Sequence, residues 1–155
     1  MKQLVVIMTV MISLIACEPG NRVFSEHQDL SPKLEWLKQD VKEFKVPIED
    51  NSLSYNLSLS FRYIVGYSSQ YAKVKVTETS PSGIENVMEY DLKVVEDNGE
   101  YIGEMGFEIW DSEHLVESNK QYEETGIYTY VIEHNMPEDP MTSAMEIGVL
   151  LDKSE

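Results

Sequence analysis

Cysteine is almost absent: Cys17 is the only one in 155 residues, so no internal disulfide can form. Cations are scarce as well, 12 Lys and Arg against 28 Asp and Glu, which sets a formal charge of −16 and a pI near 4.4. Such a chain has no basic face with which to displace counterions, so no nucleic-acid partner is expected. Histidine is limited to His27, His114 and His134, none at metal-ligand spacing from another. A Gly-x-Ser-x-Gly elbow and a glycine-rich phosphate loop are both missing. With so many carboxylates, a pair at glycosidase separation arises by accident and carries no weight. Glu96-Asp97-Asn98-Gly99-Glu100 lacks the regular carboxylate ladder of a calcium loop and reads as a solvated hairpin tip. The Asn56-Leu57-Ser58 sequon falls inside an expected strand and reads as chance. The expectation is a protein that is not an enzyme, with no catalytic residue, cofactor or metal.

Long apolar runs are missing but for one. Residues 4–16 are interrupted only by Thr9 and Ser13, and they follow Met1-Lys2-Gln3 with its single positive charge. A spanning helix needs about 20 apolar residues, so this shorter run reads as the h-region of a signal peptide over residues 1–16. It ends in Leu14-Ile15-Ala16-Cys17, which resembles the bacterial lipobox, where the cysteine is diacylated on sulfur and the chain is cut just before it. Lipidation gives the lone thiol a role, since each buried CH₂ of an acyl chain contributes about 0.8 kcal/mol and two or three chains anchor stably. Cleavage would leave 139 residues with eleven cations, a charge of −17. That surface is repelled by anionic head groups, so the acyl chains must hold the molecule at the membrane. Residues 17–21, with Glu18-Pro19-Gly20-Asn21, read as the lipidated N-terminus and a short tether.

What is abundant is period-two patterning. The apolar content is 42% with 10% aromatics, enough for one folded domain over residues 22–155. Leu53, Tyr55, Leu57, Leu59, Phe61 and Tyr63 alternate with polar residues without a break in register, which predicts a half-buried strand. Ala72, Val74 and Val76, then Ser80-Pro81-Ser82-Gly83, then Met88, Tyr90 and Leu92 predict a hairpin. Phe44, Val46 and Ile48 predict another strand, as does Val23-Phe24 with its neighbours. Asp97-Asn98-Gly99 marks a turn after which Phe107 and Ile109 should begin a strand. Residues 126–134 carry apolar side chains on both faces and should form a central strand buried on both sides. Met145, Ile147, Val149 and Leu151 predict the last strand, and only residues 32–39 could hold a helical turn. About eight or nine short strands and almost no helix define an all-β, antiparallel two-sheet β-sandwich, either jelly-roll or immunoglobulin-like Greek key. Glu124-Thr125-Gly126-Ile127-Tyr128-Thr129-Tyr130 resembles a tyrosine corner, whose buried phenol bonds backbone across a connection.

Two tryptophans are the candidate interaction surface. Trp36 sits in the polar stretch Lys33-Leu34-Glu35-Trp36-Leu37-Lys38. If Phe107 and Ile109 face the core, Trp110 points the other way, beside Asp111, and could hold a partner or stack on a sugar. A glycan-binding module of a surface or periplasmic lipoprotein is therefore the alternative reading.

The order of these motifs resembles a known family. A lipobox, then Asn21-Arg22-Val23-Phe24 with Asp29, the Tyr55–Arg62 strand, Phe107-Glu108-Ile109-Trp110-Asp111, Gly126-Ile127-Tyr128-Thr129-Tyr130, and Met136-Pro137-Glu138-Asp139-Pro140 before Ile147-Gly148-Val149 are similar to the GldH gliding-motility lipoproteins. The resemblance implies a non-enzymatic, membrane-anchored lipoprotein of the Bacteroidetes cell envelope. It further implies partners among the envelope proteins of the gliding and type IX secretion-associated machinery. In those bacteria surface export goes with an acidic cluster after the lipidated cysteine; a single Glu18 before Pro19 and Gly20 lacks it, so a periplasm-facing position is expected.

Overall fold

The computed structural model describes residues 20–154, so the expectations on the signal peptide and on Cys17 lie outside the described residues. One sheet is built from β1 (Arg22–Asp29), β4 (Ser54–Ile64), β7 (Glu104–Gly106), β8 (Ile109–Gln121) and β11 (Ala144–Lys153). The other holds β3 (Lys42–Ile48), β5 (Tyr71–Thr79), β6 (Glu85–Lys93) and β9 (Gly126–His134), while β2 (Glu35–Trp36) and β10 (Met141–Thr142) pair as a small third sheet. Strand orders are β1-β11-β4-β8-β7 and β3-β9-β5-β6, all pairs antiparallel.

The long strands pair as nested brackets: β1 with β11, β3 with β9, β4 with β8, β5 with β6. Successive brackets lie in alternate sheets until the innermost hairpin, and β11–β4 and β9–β5 pairings close each sheet. A long folded-back ribbon rolled in this way is a jelly roll, which decides between the two sandwich types the patterning allows.

Burial explains the strands. On β4, Tyr55, Leu57, Leu59, Phe61 and Tyr63 are all 3% exposed or less, and they meet Phe44, Val46, Tyr130, Ile132, Val74 and Val76 of the other sheet. Each such side chain contributes about 1.5–3 kcal/mol relative to exposure, which fixes the register, because a one-residue slip would turn the whole row to solvent.

Three expectations are corrected. Residues 32–39 hold no helical turn; two tight turns flank β2 there, with Leu34 at φ 59°. β9 is central in its sheet but buried on one face only, since among the described residues no third layer covers its outer side and Ile127 is 50% exposed. The strand buried on both faces is β11, where Leu150 is closed off along with Ile147, Val149 and Leu151. Phe107 does not begin a strand: it sits in the two-residue loop between β7 and β8.

The Tyr128 hydroxyl accepts the Glu124 backbone N–H at 3.4 Å, a bond across the connection into β9 as the tyrosine-corner resemblance implies. Tyr130 instead turns its hydroxyl to side chains inside the sandwich.

Candidate interaction surfaces

Both tryptophans point inward, which corrects their reading as an interaction surface. Trp36 is fully buried; β2 carries it under β10, its Nε1–H donates to the Asp40 carbonyl at 2.7 Å, and its ring meets His134 edge to face at 5.5 Å. Trp110 pairs with Tyr63 across β8 and β4, so the two share the core side of the sheet. It packs against the core, 5.5 Å from the Tyr101 ring, with Nε1 buried and without a hydrogen-bond partner. The face was misjudged because Phe107, the residue that set the parity, lies outside the strand. Trp36 offers no stacking platform for a sugar, and Trp110 spends much of its ring on the core and on Tyr101.

Where β1 begins and β11 ends, the gap between the sheets is closed by charge. Glu78 continues the inward row Ala72, Val74, Val76 of β5, so a carboxylate is carried into the sandwich. It accepts the Tyr130 hydroxyl and the Lys120 ammonium, the latter at 3.0 Å, while Lys120 also reaches Glu117 at 2.9 Å. Tyr122 donates to Tyr130 at 2.7 Å, and Tyr90 donates to Glu117 at 2.9 Å. Burial alone would lower the Lys120 pKa, but the hydrogen bonds to Glu117 and Glu78 outweigh it and the net shift is upward. This network joins β5, β6, β8 and β9 and leaves its polar groups satisfied, so it acts as a clamp between sheets. The interrupted apolar alternation at Glu78 was the sequence signal for it.

The outer face of the five-stranded sheet is polar. Arg22 bonds Asp152 at 3.0 Å and Glu113 at 2.9 Å, and Arg62 bonds Asp111 at 2.6 Å and Glu146 at 3.1 Å. These carboxylates, Asp152 and Asp111 foremost, raise both guanidinium pKa values. Between them, His27 of β1 and Ser60 of β4 bond at 3.0 Å over Gly148 of β11. His27 Nε2 lies 3.3 Å from Ser25 Oγ and Nδ1 lies 3.4 Å from Glu146. Each guanidinium is already paired with two carboxylates. Among the described residues, no group of three His, Cys, Asp or Glu gathers as a metal site would require.

At the opposite end stands the β7–β8 hairpin tip. Phe107 is 98% exposed and Met105 65%, with Val65 beside them at 49%. Phe107 has φ 64°, and the Glu108 carbonyl accepts the Val65 N–H at 2.9 Å. Sequence patterning missed this surface because an aromatic two residues before Ile109 mimics a strand; Gly103 and Gly106, flanking so short a segment, were the available hint of a hairpin.

Fold and surfaces together define a jelly-roll sandwich with ion-paired outer faces, an internal clamp at one end and an apolar tip at the other. The family model described as GldH lipoprotein matches residues 22–151, and the chain belongs to that family. Membership makes it a membrane-anchored lipoprotein of the cell envelope, in a family not known for enzymes. No curated protein matches the chain.

Proposed function

We propose that this protein is anchored through acyl chains on Cys17 after removal of residues 1–16, faces the periplasm, and serves as a non-enzymatic accessory or assembly component of the gliding-motility and type IX secretion-associated machinery. The carrying observation is the family match over residues 22–151. The described residues support it in kind: the charge clusters at Arg22, at Arg62 and around Lys120 are built of ion pairs that hold the fold together. A short tether at residues 17–21 would hold the β1 end within about 15 Å of the lipid, at roughly 3.5 Å per residue. Deleting the gene and scoring surface spreading and secreted-protein levels tests the reading. Loss of either supports it, and wild-type behaviour in both overturns the machine role.

A further inference from the structure

We infer that the β7–β8 tip is the docking element of this domain, with the Phe107 ring seated in an apolar pocket rimmed by Lys or Arg on a partner protein of the envelope. The inference rests on the envelope-component reading above and names the surface that reading leaves open.

Phe107 goes against the fold twice. Its ring is 98% exposed, takes no part in the core cluster and makes no ring–ring contact among the described residues. Its backbone, at φ 64°, occupies the first of two loop residues while Glu108 keeps a negative φ, the pattern of a hairpin turn that takes glycine at this position. An aromatic side chain held in a left-handed conformation is strained, and strain that returns nothing to the fold marks a surface used for something else.

The base under the ring is stiff. Met105 and Gly106 pair with Trp110 and Ile109, and the Val65 N–H ties the loop to the end of β4. Gly103 lies so close to β8 that an added Cβ would stand 2.2 Å from the Asp111 carbonyl oxygen. A rigidly presented aromatic loses little freedom on binding, which is the property of an interface anchor.

Charge and position choose the occupant. Glu108 follows Phe107 in the loop and Glu104 opens β7, both exposed, so the tip is acidic and a basic rim is the complement. The same two acids repel anionic lipid and repel an identical tip on a second copy. The eleven residues of β4 separate the tip from the tether end by about 35 Å at ~3.3 Å per residue, which points it away from the anchoring bilayer.

The test uses the full acylated chain in its own membrane. Phe107→p-benzoylphenylalanine, irradiated in cells, is expected to give one adduct with a different protein, and the adduct is expected to fall at least tenfold when Glu104→Lys and Glu108→Lys are added. Phe107→Gly is expected to reach wild-type membrane levels with a thermal midpoint no lower than wild type, yet to spread like the deletion strain, while Phe107→Leu retains spreading. An adduct at twice the chain mass, an adduct with lipid, no adduct, or an adduct indifferent to the charge reversals overturns the inference. So does full spreading by Phe107→Gly where the deletion strain cannot spread. If the deletion itself has no phenotype, the machine role fails, and the charge-sensitive adduct alone still decides the tip.

Discussion

Trp36 and His134 show how completely single side chains here have been given over to folding. The Trp36 ring fills the space under the β2–β10 pair, and Trp36→Ala should cost about 3–5 kcal/mol, read as a lowered urea midpoint, with no change in any binding that survives folding. His134 is buried against that ring; its Nδ1 accepts the Met136 N–H at 3.3 Å, which places its proton on Nε2, 3.5 Å from Asp139 and without a hydrogen bond. Burial lowers the His134 pKa, opposed in part by Asp139 and assisted by Lys38, and burial lowers that of His114 as well. The folded state therefore refuses protons that the unfolded chain accepts. The stability this contributes is complete above about pH 6.5 and is lost as the pH falls from there toward the folded values. Thermal melts between pH 7 and 5 should show wild type losing more than the His114→Gln, His134→Asn double variant, in which the Asn oxygen can still accept the Met136 N–H. Equal slopes would assign the acid loss to other groups.

Among the strands, β11 depends most on a missing side chain. A Cβ on Gly148 would stand 2.3 Å from Ser60 Oγ and 2.5 Å from His27 Nδ1, the two groups that bond each other across it. Gly148→Ala should therefore destabilise by about 2 kcal/mol, and less in a His27→Ala background, because the crowding partner is then gone. Additive losses in chemical denaturation would show that the two residues do not crowd each other. The alternation in β4, β5 and β3 was plain in the sequence because each has one face in the core and one in water. β9 misled because Ile127 and Val131 are apolar residues on an outer face, where burial does not constrain them. β2 and β10 were invisible, since two residues carry no period; the same brevity let residues 32–39 pass for a helical turn. The strand pairing itself, and with it the inward turn of Trp110, depends on contacts far apart in sequence that local pattern does not encode.

On the scale of the molecule, the excess of acid disfavours anionic lipid, so the attraction to a bilayer is assigned to the proposed acyl chains on Cys17. Cys17→Ala should abolish palmitate labelling and should leave the thermal midpoint of the domain unchanged, because β1 starts only at Arg22. The expected product is uncleaved precursor or soluble periplasmic protein. A variant that is cleaved and still membrane-bound, with an unlabelled wild type, would show a plain secretory signal instead. The nested pairing has a temporal consequence. Arg22 and Asp152, bonded partners in the finished sheet, lie 130 positions apart, so the first strand has no neighbour until the last one has been made. Local hairpins such as β5–β6 can form early, but closure of the five-stranded sheet waits for the final residues, a high-contact-order route of the millisecond-to-second class. A polypeptide built this way stays threadable through a translocation channel until β11 has been made, and locks only once that strand has crossed.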